Sequence, residues 1–401
     1  MAAIARPSAI ARVEAALARA PITALLGPRQ CGKTTLARQI AATRTSQFFD
    51  LESPSDARRL ENPELALSGP GQLIVLDEIQ ARPTLFNALR MLVDRPTRRP
   101  PRFLVLGSAS PALVRGVAES LAGRVEFVEL SGFDLGEVGP DRWERLWIRG
   151  GYPRAWLARS DADSRQWREG FIRTFLERDI PQLGISIPAA ALRRFWTMLA
   201  HYHGQTWNSS ELARSLGLSD KTVRSYLDIL TGTFMVRQLQ PWHENLAKRQ
   251  VKAPKIYLRD SGLLHALLDL SDRQALFGSP RVGASWEGFA IEQVLAAVRP
   301  SDAYFWATYG QAELDLLFVL NGRRFGVEVK FSEAPEVTRS MRIALEDLSV
   351  DHLWVVHPGR HRYAVDARIS AWPIAEIRGL AEDARRRSRL RPQRSPKATK
   401  S

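Results

Sequence analysis

The chain has 401 residues, too many for one ordinary core, so two or three domains are expected. Its 45% apolar and 25% charged residues exclude a disordered or fibrous chain, and no run of about 18 apolar residues exists to span a membrane. The net charge of +14 is set unevenly and gathers at the C-terminal end.

Met1 to Ser8 lack the apolar region of a signal peptide, and Cys31 is the sole cysteine, so a reducing, cytoplasmic setting is expected. An apolar run from Ile22 to Leu26 leads into Gly27-Pro28-Arg29-Gln30-Cys31-Gly32-Lys33-Thr34, followed by a helical pattern from Thr35 to Ile40. This is G-x-x-x-x-G-K-[ST] in its required setting of strand, loop and helix. The glycines let backbone N–H groups and the helix N-terminus, with Thr35 beside it, surround phosphate oxygens. Lys33 would reach the β- and γ-phosphates of ATP, and the Thr34 hydroxyl would ligate Mg²⁺. Within that loop Cys31 reads as a spacer.

Phe48 to Glu52 reads as a second strand carrying acids at its end. Leu73 to Leu76 then runs into Asp77-Glu78, as a buried parallel strand does when it delivers carboxylates to a ligand. Asp77 suits the Mg²⁺ site and Glu78 a base that orients water at the γ-phosphate. A further strand, Phe103 to Leu106, ends at Ser108, a candidate γ-phosphate sensor or a helix cap. Arg124 precedes a last strand and is either an arginine finger or a surface arginine.

These segments, Gly27-Pro28-Arg29-Gln30, Leu76-Asp77-Glu78-Ile79-Gln80, Leu106-Gly107-Ser108-Ala109-Ser110 and Ser120-Leu121-Ala122-Gly123-Arg124-Val125, resemble a large prokaryotic family of AAA-type ATPases. Its members join such a domain to a C-terminal domain of unassigned function. The resemblance continues through Gly150-Gly151-Tyr152-Pro153, Leu176-Glu177-Arg178-Asp179-Ile180 and Lys252-Ala253-Pro254-Lys255-Ile256-Tyr257. It implies an ATPase domain over residues 1–150, places Gln80 in the extended Walker B segment, and makes Arg178 an inter-domain or inter-subunit sensor.

Residues 151–188 carry an aromatic stripe, Trp167, Phe171 and Phe175, read as packing in a helical connector. Residues 189–250 resemble a winged helix. Asn208-Ser209-Ser210-Glu211 is a capping-box pattern opening its second helix, and Asp220 to Leu230 forms its third. Val223, Leu227 and Leu230 face inward there, which leaves Lys221, Thr222, Arg224 and Ser225 toward DNA or a protein partner. Phe234 to Leu239 would form the wing.

In residues 251–380, Trp286 to Val298 reads as a helix with Glu287 on its apolar stripe, a costly place without a partner, and with Glu292 off the stripe and solvated. Asp315, a turn at Asn321-Gly322, and Glu328-Val329-Lys330 follow. An Asp and then Glu-x-Lys after a hairpin resembles the PD-(D/E)xK nucleases and implies a restriction-endonuclease-like α/β domain. In that likeness Asp315 and Glu328 would hold Mg²⁺ or Mn²⁺, and Lys330 would activate water. Residues 381–401 read as a basic disordered tail, with Arg385, Arg386, Arg387, Arg389, Arg391, Arg394, Lys397 and Lys400 and no acid after Asp383. Such a tail either holds a polyanion or is a solvated end.

The expected protein is an α/β ATPase that hydrolyses ATP to ADP and phosphate, coupled to DNA binding or processing. The alternative is an ATP-dependent switch whose last two domains bind DNA, protein or a second copy without cutting. A transport or repair motor is a third reading. No membrane partner is expected.

Overall fold

The computed structural model describes residues 4–69, 71–96, 98, 100–108, 119–244, 250–310 and 312–390. Helix α1 (Pro7–Arg19) leads into β1 (Ile22–Gly27), and helix α2 (Lys33–Ala41) into β2 (Ser46–Asp50). With β3 (Leu73–Asp77), β4 (Arg102–Ser108) and β5 (Val125–Glu129) these strands make a five-stranded sheet in the order β2-β3-β4-β1-β5. Every pair in it is parallel. Strands β1 and β3 are buried along their whole length, which is why their sequences are continuous apolar runs rather than alternating ones. All C-terminal ends in a parallel sheet lie along one edge, so Gly27, Asp50, Asp77 and Ser108 come together there.

The apolar core of this sheet ends at Leu130. Phe133, Leu146, Trp147 and Trp156 pack instead into the core of the C-terminal half, short of the boundary expected at residue 150. The connector helix Asp161–Thr174 continues into a π-helical turn, Phe175–Asp179, and its Phe171 and Phe175 sit in a second core with Trp196 and Leu227. Three helices follow, Ala189–His201, Ser209–Leu216 and Asp220–Gly232. The Asn208 side chain accepts the Glu211 N–H, Gly217 ends that helix with φ of +67°, and Ser219 caps the next one.

Strands β6 (Gln205–Thr206), β7 (Val236–Pro241) and β8 (Lys255–Leu258) lie beside these helices. Strand β7 pairs antiparallel with β8 through Val236–Leu239, and its last residues, Gln240 and Pro241, pair parallel with β9 (Ala303–Ala307). The sheet then runs on through β10 (Glu313–Leu320), β11 (Arg323–Val329), β12 (His352–His357), β14 (Ile369–Pro373) and β13 (Tyr363–Asp366). One nine-stranded sheet therefore crosses the boundary drawn at residues 250 and 251. Helix Val282–Val298 is apolar almost all round because it is enclosed, with Trp286, Ile291 and Val294 fully buried between this sheet and the Phe133–Trp156 segment.

Two expectations are corrected here. The expected disordered tail, residues 381–401, begins inside a helix, Ile377–Ser388, whose Leu380, Ala381 and Ala384 are buried in the core. Its arginines masked this apolar spacing of three and four. Residues 391–401, the remainder of the expected tail, lie outside the described residues. Glu292 is not solvated, for it is ion-paired with Arg237 and Arg259. No helix among the described residues is long and apolar enough to cross a membrane.

Candidate nucleotide site and C-terminal acid cluster

The loop after β1 is built by close contact. A side chain at Gly27 would put its Cβ 2.0 Å from the Leu130 carbonyl oxygen, and Gly32 has φ of +101° where α2 begins. Pro28 is buried, Gln30 is exposed with φ of +62°, and Cys31 is buried with its thiol against the Leu130 carbonyl. Cys31 is thus a packing residue. Lys33 is 5% exposed, and its ammonium donates to the carbonyls of Gly27 (3.0 Å) and Pro28 (2.9 Å). Thr34 and Thr35 open α2, with Thr35 exposed.

Asp77 ends β3 beside Asp50, and Thr34 stands near enough to favour its charged form. Burial raises the Asp77 carboxyl above its usual range, and Thr34 pulls the other way. Glu78 follows in a left-handed conformation, φ +56°, its N–H bonded to Asp77 Oδ1 at 3.0 Å and its carboxylate accepting from the Gln80 amide. A non-glycine residue held there beside a phosphate loop is strain of the kind concentrated at working sites. Ser108 pairs with Gly27 along the backbone, so it stands at the loop; its side chain lies outside the described residues.

Arg124 is corrected. It lies at the N-terminal end of β5, beside the start of β1, on the sheet edge opposite the phosphate loop. Its guanidinium grips Asp94 through two bonds of 2.7 and 2.9 Å. It cannot reach a phosphate in its own chain's loop.

Two arginines that sequence reasoning passed over hold the loop. Arg6 is 7% exposed and donates to the carbonyls of Cys31, Ser131 and Gly132 and to Glu137. Arg29, counted only as a loop position, ion-pairs with Glu52 and with Asp179 of the π-helical turn, and bonds Gln182. Arg178 is exposed and lies 3.5 Å from Asp179. No pattern in the sequence marks Arg6. For Asp179, the segment Leu176 to Ile180 was the only hint.

The second constellation lies where β8, β10, β11 and helix Val282–Val298 meet. Asp315 and Glu328 stand one step beyond the cross-strand pair Leu316–Val327, and both are buried. Asp315 Oδ2 accepts the Val329 N–H at 2.9 Å, and Lys330 bonds Glu328 at 2.8 Å. Burial, then Glu328 and Glu287, push the Asp315 carboxyl well above its usual range. Burial also raises Glu328, against the lowering by Lys330. Glu287 does have partners, Lys255 at 3.1 Å and the Tyr257 hydroxyl. Sequence reasoning assigned Lys255 no role, although a lysine opening the apolar run Ile256-Tyr257-Leu258 is itself a sign of a buried partner.

Residues 19–139 match the model of an AAA domain. Residues 140–274 and 282–377 match two domains of unknown function, DUF8612 and DUF4143. An uncharacterized protein of Mycobacterium tuberculosis, Rv2008c, is 54% identical over 374 residues, which covers 93% of this chain and 85% of that one. Its counterpart in Mycobacterium bovis, Mb2031c, matches equally. The chain belongs to their family. Among solved structures, a Walker-type ATPase of Pyrococcus abyssi is a distant likeness, 14% identical with a TM-score of 0.46, covering 66% of this chain and 96% of that one. This family thus carries an AAA-type P-loop domain ahead of two domains of unknown function.

Proposed function

We propose that the chain hydrolyses ATP to ADP and phosphate at the loop Gly27–Thr34 and couples this to DNA held by the helix Asp220–Gly232. One observation carries the ATPase reading: Thr34 at the start of α2 and Asp77 at the end of β3 meet the sheet edge that also holds Lys33. Two oxygen donors there, with Asp50 close by, fit Mg²⁺, which takes one or two protein ligands and completes its shell with phosphate and water. Thr34 and Asp77 would hold that ion, which neutralises charge on the phosphates. Lys33 turns from two neutral carbonyls to the β- and γ-phosphates. Glu78 orients the attacking water and accepts its proton, and Ser108 senses the γ-phosphate from the neighbouring strand.

DNA binding is supported by Lys221, Arg224 and Ser225, all exposed on a helix whose other face is buried through Val223, Leu227 and Leu230. Turnover should rise with duplex, single-stranded or branched DNA. Charge reversal at Lys221 and Arg224 should weaken binding, and removal of residues 391–401 should flatten its salt dependence. DNA affinity unchanged in both variants would refute the coupling.

A second reading, an ATP-dependent switch with slow basal turnover that acts on a protein partner or a second copy, is favoured by the Gln80 amide on Glu78. Turnover stimulated by a protein fraction and indifferent to DNA would select it.

A further inference from the structure

The acid cluster gathers Glu287, Glu313, Asp315 and Glu328 from one helix and two strands, and a side chain from elsewhere occupies its middle. Lys255 comes from β8, a strand bonded to β6 and β7 beside the three-helix module. Its ammonium lies 3.1 Å from Glu287 and 3.8 Å from Asp315, and it ion-pairs with Glu313 as well. Lys255 is 6% exposed and Asp315 is buried with it, so water screens that contact little, whereas Glu313 reaches solvent. The ammonium thus sits within ion-pair distance of three carboxylates, in direct bonding range of Glu287 and Glu313 and further from Asp315. Tyr257, two residues on along β8, donates to the same oxygen of Glu287 that Lys255 bonds. Glu328 is held separately by Lys330.

A divalent ion bridging Asp315 and Glu328 would need several oxygens free of other cations. Here Lys255 stands on the Glu287, Glu313 and Asp315 carboxylates and Lys330 on Glu328, while Asp315 Oδ2 takes the Val329 N–H. Among the described residues no group of three His, Cys, Asp or Glu is arranged to hold a metal ion. The donor set does not fit the metal that the nuclease likeness implies.

We infer that Lys255 is the resident cation of this centre, standing where a PD-(D/E)xK enzyme would carry its metal, so that the cluster is a metal-free clasp fastening β8 to the C-terminal domain. The inference rests on reading Asp315 and Glu328 as the counterparts of nuclease acids, and is independent of the ATPase reading.

The test titrates Mn²⁺ calorimetrically into the full chain without nucleotide, and follows melting with and without Mn²⁺. Wild type and Asp315→Asn should give indistinguishable heats, with no Mn²⁺-dependent shift in melting. Lys255→Met should melt lower, gain one Mn²⁺ site and recover several degrees with Mn²⁺, and Lys255→Met/Asp315→Asn should lose that site. A wild-type site that Asp315→Asn removes would overturn the inference, as would a folded Lys255→Met with no new site. If Lys255→Met does not fold, the comparison of wild type with Asp315→Asn decides alone. ATP hydrolysis, measured in the same samples with Lys33→Ala as control, reports separately on the nucleotide site.

Discussion

The two lysines at the centre of the two sites are equally withdrawn from solvent, 5% exposed for Lys33 and 6% for Lys255, yet their surroundings differ in kind. Lys33 is held by two neutral carbonyls of its own loop, and a phosphate carrying full negative charge can outbid them. Lys255 is held by carboxylates; burial works against its charge, but Tyr257, Glu287, Asp315 and Glu313 outweigh burial and raise its basicity. The same side chain is therefore exchangeable in one place and fixed in the other. What a buried lysine does is decided by whether its partners carry charge.

The largest expected effect breaks that comparison at its first member. Lys33→Ala should lower kcat/KM for ATP by about a thousandfold or more, since the charge aimed at the transferred phosphoryl group is gone. Retained hydrolysis would put Lys33 in the same fixed class as Lys255. Glu78→Gln should cost about a hundredfold or more in kcat while nucleotide still binds, the range for loss of a positioned base. A nucleotide-binding assay beside a phosphate-release assay separates the two variants.

Acid should then distinguish the halves of the chain. All seven histidines and all eleven tryptophans lie beyond residue 140, so the second half both feels protonation and reports it. Burial lowers His203 and His265 to about 3, whereas an exposed histidine titrates near 6.5. With the folded value depressed, the unfolded chain takes up protons first. Stability is full above pH 6.5 and falls as the pH drops toward 3. At pH 5 each buried imidazole should cost about 2 kcal/mol. Raised carboxyls such as Asp315 act in the opposite direction, so the test compares variants. The urea midpoint read by tryptophan fluorescence should drop less between pH 7.5 and 5 in His203→Gln than in wild type, and an equal drop would refute a neutral, buried imidazole. The smallest effect is expected at the loop's tie to the connector. Asp179→Asn should raise KM for ATP about fivefold with kcat little changed, the worth of one partly buried charged hydrogen bond. A KM within error of wild type would make the Arg29–Asp179 pair incidental to nucleotide binding.

The nucleotide site was legible because its chemistry is local in sequence. Gly27 to Thr34 is one turn of chain, and Asp77-Glu78 announces itself at the end of an apolar strand. The residues that brace it were not, because Arg6 and Asp179 act from 25 and 150 positions away. Arg124 misled for the opposite reason: it is close in sequence to the last strand of the sheet, but at the wrong end of it. In the C-terminal half, Asp315, Glu328 and Lys330 do come together as their spacing suggested. The cation among the acids belongs to a strand some sixty residues before Asp315, and pairing across that separation leaves no periodicity to read. The helix Ile377–Ser388 was hidden because net charge spoke louder than the spacing of Ile377, Leu380, Ala381 and Ala384.

Strand β7 has one more consequence, for how the chain can be divided. It shares its first residues with β8 and its last two with β9, so a cut between residues 250 and 251 strips a partner from both. Each piece would present a row of unanswered N–H and C=O groups, the template on which chains add to one another. The shorter piece would keep Lys255 on a strand no longer held in register by β7. Such fragments should precipitate or pair with copies of themselves, so the smallest soluble piece of the second half must begin upstream of the three helices.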